Sequence, residues 1–196
     1  MGMATTNRPL ICQVPVFFAT SEGQTRRIAQ RIATVLHDLG LEACVIDVAG
    51  PHASAVDWTH VRGAVVGASL HIGKHQKAAE RFVKAHAVDL TRVPSAFFSV
   101  SLSAASKNVN EVEAAKKLAK AFPAACGWMP ARIVSVAGRL AYSEYGFFIR
   151  WVIKRIAKKE GAPTDTSRDY ELTNWDEVNA LARDMARRIH AQAAVA

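Results

Sequence analysis

The sequence lacks the features of several protein classes. No uninterrupted apolar stretch approaches the roughly 20 residues that a membrane-spanning helix needs. Residues 1–9 lack the apolar core of a secretory signal, and we expect them to form a flexible extension. The sequence therefore predicts a protein that stays in the cytoplasm.

Cysteine is scarce and scattered. The three cysteines, Cys12, Cys44 and Cys126, are odd in number and contain no CxxC pair, so they resemble neither a disulfide framework nor a zinc site. We expect all three to be free and buried. His71 and His75 have the spacing of metal ligands on a helix, but Gly73 lies between them and no third ligand is near, so no metal is predicted.

Two glycine-rich phosphate motifs are also absent. The sequence has neither a Walker lysine loop nor a GxGxxG fingerprint, which argues against ATP and NAD as the principal ligand. A net charge of +8 predicts an anionic partner. Because no recognition helix or aromatic platform accompanies that charge, we predict no nucleic-acid binding.

What the chain does have is the pattern of one α/β domain. With 196 residues, half of them hydrophobic, it is long enough for a single core, and we assign residues 1–196 to one domain. Short apolar runs alternate with segments of helical period, which is typical of a parallel sheet covered on both faces. The predicted strands are Val14–Ala19, Glu42–Val48, Gly63–Ser69, Ser95–Leu102 and Arg132–Ala137. The predicted helices are Gln24–Leu39, Gln76–Ala87, Asn110–Phe122, Phe147–Lys159 and Asp176–His190.

A hydroxyl-rich loop separates the first strand from the first helix. It reads Thr20-Ser21-Glu22-Gly23-Gln24-Thr25. Free N–H groups at a helix start attract anions, hydroxyls can donate to the same oxygens, and Gly23 permits a tight turn. A helix-capping turn that binds nothing is the alternative. The position after the first strand of a parallel sheet favours the phosphate of a mononucleotide.

This loop resembles the FMN phosphate loop of the flavodoxin family, T/S-x-T-G-x-T, at Thr20, Gly23 and Thr25. The resemblance implies a doubly wound sheet of five parallel strands in the order 2-1-3-4-5, helices on both faces and bound FMN. Glu22 departs from the motif, and we expect its side chain to face solvent.

The same resemblance implies that the loops after strands three and four hold the flavin ring. Both stretches are small, polar and rich in Gly or Ser, which suits close approach to a flat ring. Ordinary strand-to-helix turns are the alternative. The implied ring-binding residues are Ala68, Ser69, Leu70, His71, Ile72, Gly73, Ser99, Val100, Ser101, Leu102 and Ser103. His71 is in addition a candidate proton donor or hydrogen-bond partner of the flavin.

A narrower resemblance appears over several segments together. Residues 21–29, 65–73, 94–100, 136–142, 161–166 and 173–175 are similar to those of the menaquinone-dependent protoporphyrinogen dehydrogenase family, flavodoxin-like enzymes of haem synthesis. The resemblance implies FMN-dependent oxidation of protoporphyrinogen IX to protoporphyrin IX in three two-electron steps, with menaquinone or ubiquinone as acceptor. A homo-oligomer is left open.

A basic and aromatic segment follows the fifth strand. Between Arg139 and Lys159, cationic side chains alternate with apolar ones, and Arg150 and Lys154 share a helical face. Such a helix could lie on an anionic membrane, peripherally at the inner face, or attract porphyrin propionates. A helix packed on the sheet with a solvated basic face is the alternative. The substrate and membrane candidates are Arg139, Tyr142, Arg150, Trp151 and Lys154.

Two other functions stay open at this stage. A flavodoxin-like electron carrier, or an FMN-dependent quinone reductase without porphyrin activity, would use the same loops, although carrier flavodoxins are typically acidic. A domain that binds without any cofactor is the third option.

Overall fold

The computed structural model describes residues 9–140 and 170–194. Its strands are β1 (Val14–Ala19), β2 (Ala43–Asp47), β3 (Ala64–His71), β4 (Lys74–His75), β5 (Ser95–Ser101), β6 (Arg132–Ala137), β7 (Arg139–Leu140) and β8 (Tyr170–Glu171). Its α-helices are α1 (Gln24–Asp38), α2 (Lys77–Ala85), α3 (Ala87–Arg92), α4 (Val109–Ala125) and α5 (Trp175–Ala193). Short 3₁₀ helices cover Pro51–Ala55, Trp58–His60 and Ser103–Ala105. The predicted helix Phe147–Lys159 lies outside the described residues.

The main sheet confirms the predicted topology. Five parallel strands run in the order β2-β1-β3-β5-β6, which is the order 2-1-3-4-5 when only the parallel strands are counted. Two short features were not predicted: β4 extends the main sheet by pairing antiparallel with the end of β3, and β7 and β8 form a separate antiparallel pair. All six residues of β1 are buried, as expected for a central strand covered on both faces.

Helices cover both faces of this sheet. On one face, α1 and α5 pack over side chains such as Val16 and Phe18, and the stripe Ile28, Ile32, Leu36 of α1 is fully buried. On the other face, α2 and α3 cover Phe17 and Phe97. At Gly67 a Cβ would overlap the ring of Phe98, so glycine permits this close packing of β3 against β5.

Local signals in the sequence place several element ends correctly. Gly40 follows α1 with φ of 78°, the left-handed conformation of a helix C-terminal glycine. Asn174 caps α5, because its side chain accepts from the N–H groups of Asp176 and Glu177. Pro15 lies at the start of β1, before the ladder with β3 begins at Val16, so its missing N–H interrupts no β1–β3 pair.

The cysteine prediction is wrong for two of the three residues. Cys12 and Cys44 form a disulfide, whereas Cys126 is free and buried as predicted. The parallel register of β1 and β2 aligns Val14 with Ala43. This register places the Cα atoms of Cys12 and Cys44 6.2 Å apart, a separation that a disulfide can bridge. Their separation of 32 residues gave no local signal of this pairing.

Within the described ranges 9–140 and 170–194, no helix combines the length and the apolar character that crossing a membrane would require.

Candidate cofactor site

The phosphate loop joins β1 to α1 at the carboxyl edge of the sheet. Gly23 has φ of 83°, a left-handed conformation, and its N–H donates to Thr20 Oγ1 at 2.9 Å. Helix α1 begins at the next residue, so the N–H groups of Gln24, Thr25 and Arg26 have no acceptor within the helix. The loop therefore presents a short row of main-chain donors at the positive end of a helix.

The neighbouring loop is a tight hairpin rather than an irregular turn. Strand β3 continues to His71, the chain reverses at Ile72 and Gly73, and β4 pairs back with Leu70 opposite His75. Both turn residues have positive φ, 48° at Ile72 and 73° at Gly73. The hairpin projects His71 and Ile72 as exposed side chains beside the phosphate loop.

The third loop leaves β5. Val100 and Ser101 end the strand, and the 3₁₀ helix Ser103–Ala105 follows before α4. Ser101 Oγ accepts from the N–H of Ala104 at 3.2 Å, which fixes the first turn of this loop.

These three loops enclose a pocket of about 430 Å³, a size typical of small-molecule sites. Most of the predicted cofactor residues line it: Thr20, Glu22, Ser69, Leu70, His71, Ile72, Gly73, Val100, Ser101, Leu102 and Ser103. Arg139, a predicted substrate residue, also lines it. Glu22 is exposed at its rim.

Six predicted residues do not line the pocket. They are Ser21, Gly23, Gln24, Thr25, Ala68 and Ser99. Part of the wall was not predicted: it consists of Gly138 and one side of α4, namely Glu111, Ala114, Ala115 and Leu118. An apolar spacing of helical period in α4 is the signal that could have indicated this wall, but the same spacing is equally typical of sheet packing.

The remaining substrate and membrane candidates, Tyr142, Arg150, Trp151 and Lys154, lie outside the described residues.

Two buried hydroxyls test whether this site fits FMN. Thr25 Oγ1 and Ser69 Oγ are buried, and neither has a hydrogen-bond partner in the described part of the chain. Buried polar atoms are normally paired, so a ligand with acceptor atoms is the natural partner for both. Thr25 belongs to the phosphate loop and Ser69 to the ring loop, so the residues present fit a phosphorylated flavin.

Ser99 is placed differently from the other ring-loop residues. Its side chain is fully buried, and its Oγ lies 2.8 Å from His75 Nε2. The His75 ring packs on Phe97 and Phe122 with centroid distances of 5.5 and 4.5 Å. Burial lowers the pKa of His75 to about 4, so this imidazole is neutral at physiological pH.

Gln24 holds α1 to the C-terminal part of the chain. Its Nε2 donates to Thr173 Oγ1 at 2.8 Å and to Glu171 Oε1 at 3.0 Å. Arg27 Nη1 donates to Gln24 Oε1 and to Glu171 Oε2, each at 3.2 Å, and its guanidinium lies 5.9 Å from the ring centroid of Trp175. The start of α1 and the segment 171–175 are therefore in direct contact, and residues 173–175 belong to a segment that the sequence resemblance had singled out separately from residues 21–29.

Replacing Gln24 by Met tests whether this side chain serves the fold rather than the ligand. We expect the free energy of unfolding of the apoprotein to fall by about 1 kcal/mol, because the buried hydrogen bond from Gln24 to Thr173 Oγ1 is lost. FMN affinity is expected to stay within about threefold, since the main-chain N–H groups of α1 are retained. Urea unfolding and flavin fluorescence titration measure the two quantities.

Gln30→Met is the matched control, because Gln30 is exposed on the same helix. A Gln24→Met protein with unchanged stability and much weaker FMN binding would contradict this assignment.

Comparison with known proteins agrees with this geometry. The flavodoxin domain family model matches residues 15–167. Protoporphyrinogen IX dehydrogenase (quinone) of Escherichia coli strain K12 is 37% identical over 172 residues, which cover 87% of this chain and 93% of that protein. The protein of the same name from Leishmania major is 32% identical over 173 residues, covering 87% of this chain and 73% of that one.

Solved structures show the same fold. Oxidised flavodoxin 1 from Bacillus cereus superposes with a TM-score of 0.53 at 17% identity, covering 89% of this chain and 97% of the flavodoxin. The chain thus belongs to the flavodoxin-domain family, within the group that contains the protoporphyrinogen IX dehydrogenases (quinone).

Proposed function

We propose that this protein is an FMN-dependent oxidoreductase that oxidises protoporphyrinogen IX to protoporphyrin IX and passes the electrons to a menaquinone or ubiquinone. The observation that carries the proposal is a mononucleotide-sized pocket beside two buried hydroxyls, those of Thr25 and Ser69, that have no partner among the described residues. The chain is also 37% identical to a protoporphyrinogen IX dehydrogenase over nearly its whole length. When bound, FMN supplies an acceptor for electron pairs that it can later pass on.

Different residues of the pocket would bind the phosphate and orient the flavin ring. The first turn of α1, Thr20 and Thr25 would bind the phosphate, because they supply the main-chain and hydroxyl donors there. Ser69 and the stretches 70–73 and 100–103 would orient the ring between β3 and β5. Such positioning, with exclusion of water, is what a protein contributes to flavin chemistry.

Two charged or titratable residues on the wall would serve the substrate. Arg139 lines the pocket next to Gly138, where its guanidinium can bind a carboxylate such as a porphyrin propionate. His71 is exposed on the hairpin, where its imidazole can take up or release a proton during oxidation of a pyrrole ring system.

The test is an anaerobic assay with protoporphyrinogen IX and a menaquinone analogue, followed by porphyrin fluorescence. We expect turnover above the protein-free control, and we expect Arg139→Met to raise KM more than it lowers kcat. Reduction of the quinone by a general electron donor without porphyrin formation would support the quinone-reductase alternative instead.

Delivery of electrons to a lipid-soluble quinone suits a protein bound peripherally to the inner face of the membrane. The net charge of +8 supports attraction to anionic lipid, on the order of 1 kcal/mol for each basic residue near the surface. Co-sedimentation with anionic vesicles, before and after Arg150, Lys154 and Lys158 are changed to Glu, tests this. Equal binding of both proteins to the vesicles would contradict a role of these three basic residues in membrane binding. Light scattering would test for a homo-oligomer.

A further inference from the structure

The turn between β3 and β4 is held in an unfavourable conformation at the mouth of the pocket. Ile72 has φ of 48°, a region that β-branched residues rarely occupy. Its side chain is fully exposed, so its own packing gives no compensation. Such strain persists only when the surrounding structure fixes the segment, and it is frequent at ligand-binding sites.

One fixing contact is at the base of the hairpin. His75 pairs with Leu70 in the hairpin and reaches Ser99 Oγ at 2.8 Å, inside a cluster formed with Phe97 and Phe122. Ser99 lies in β5 directly before Val100, which lines the pocket. His75 therefore ties the hairpin to the strand that carries the opposite wall of the ring site.

Gln76, the residue after His75, makes a second contact, which is with the phosphate loop. Gln76 Nε2 donates to Ser21 Oγ at 2.7 Å, which connects the hairpin to the phosphate loop. Two adjacent side chains thus link the hairpin to strand β5 and to the phosphate loop. Both side chains lie outside the pocket wall itself.

We infer that His75 and Gln76 are positioning residues that hold the β3–β4 turn at the spacing from the phosphate loop and from β5 that FMN requires, before the cofactor binds. This inference rests on the proposed function, because it takes FMN as the occupant of the pocket. A loop fixed in its binding conformation loses less conformational entropy on binding, which raises affinity without a new ligand contact. Removal of either link is expected to weaken FMN binding about five- to tenfold, the effect of one hydrogen bond.

The test uses Ser99→Ala and Gln76→Met, which remove one link each, with Lys74→Met as the matched control on the exposed side of the same hairpin. Three quantities are measured: the FMN dissociation constant by fluorescence quenching, the visible circular dichroism of bound flavin, and the unfolding temperature of the apoprotein. We expect both link variants to raise the dissociation constant and to alter the dichroism, and the control to match wild type. His75→Phe, which keeps an aromatic ring between Phe97 and Phe122, is expected to behave like Ser99→Ala.

The outcomes separate this inference from the proposed function. A wild-type protein that does not bind FMN would contradict the proposed function. Wild-type binding with dissociation constants and dichroism unchanged in the link variants would overturn the inference. A lower unfolding temperature in those variants, with unchanged flavin binding, would also overturn it, since the two residues would then serve only the fold.

Discussion

Riboflavin is expected to bind at least about a thousandfold more weakly than FMN, since several charge-assisted hydrogen bonds to the phosphate are each worth about 1.5–3 kcal/mol. The N–H groups of Gln24, Thr25 and Arg26 open α1 without intrahelical acceptors, directly after the left-handed turn at Gly23. A dianion placed there also interacts with the positive end of the helix. Fluorescence titration of the apoprotein with both flavins measures the ratio.

Thr25→Val refines this prediction, because the two effects expected of it have opposite signs. FMN affinity should fall about 10- to 100-fold, since a hydrogen bond to a charged phosphate oxygen is lost. The apoprotein should be as stable as wild type or slightly more stable, because the hydroxyl removed is buried and unpaired among the described residues. Riboflavin affinity should not change.

Thr34→Val is the matched control. Thr34 Oγ1 donates to the carbonyl of Gln30 on the exposed side of α1, away from the loop. Equal binding of FMN and riboflavin by the wild-type protein would contradict the phosphate site itself. A Thr25→Val protein that loses both flavins together would instead indicate a general defect of the pocket.

Local chemistry predicted the parallel sheet and the left-handed glycine turns well. Each of the five parallel strands was placed to within two residues at either end, because a strand buried on both faces is a continuous apolar run. Gly23 and Gly40 were assigned from the backbone conformations that only glycine adopts easily, and both have positive φ. These signals come from residues that are close together in the chain, so they can be identified from a single sequence.

Contacts between distant segments could not be predicted in this way. The Cys12–Cys44 disulfide depends on strand register, and the contact of Gln24 with Thr173 spans 149 residues. The β3–β4 hairpin was missed because Ile72 is a residue that the left-handed turn conformation disfavours. The hydrogen bond between Ser99 Oγ and His75 was likewise not predicted. In each case, tertiary packing decides what the residue contacts.

The stability of the protein is expected to fall by about 3 kcal/mol as the pH is lowered from 7 to 4, through His75 alone. Burial lowers the pKa of this imidazole from 6.5 to about 4 in the folded state. Between these values the unfolded chain binds a proton that the folded chain does not bind, so acid favours unfolding. The contribution is fully present above about pH 6.5 and is lost as the pH falls towards 4. Urea unfolding at half-unit pH intervals measures this slope.

The carboxylates whose pKa is clearly shifted affect stability at lower pH than His75 does. Hydrogen bonds from neighbouring side chains lower the pKa of four surface carboxylates, those of Asp57, Glu80, Glu113 and Asp184. Their unperturbed values are 3.8 for aspartate and 4.5 for glutamate, so their stabilising effect is lost mainly below about pH 4.5. Among the described groups whose pKa is clearly shifted, His75 is the one that acts in the interval from pH 6.5 to 5.

His75→Phe is expected to flatten the slope in that interval, because phenylalanine fills the space between Phe97 and Phe122 without a titrating group. His52→Phe, at an exposed position, is the control and should keep the wild-type slope. An unchanged slope in His75→Phe would mean that His75 is protonated in the folded protein as readily as in the unfolded chain. In that case burial between the two rings would not disfavour the charged form of the imidazole.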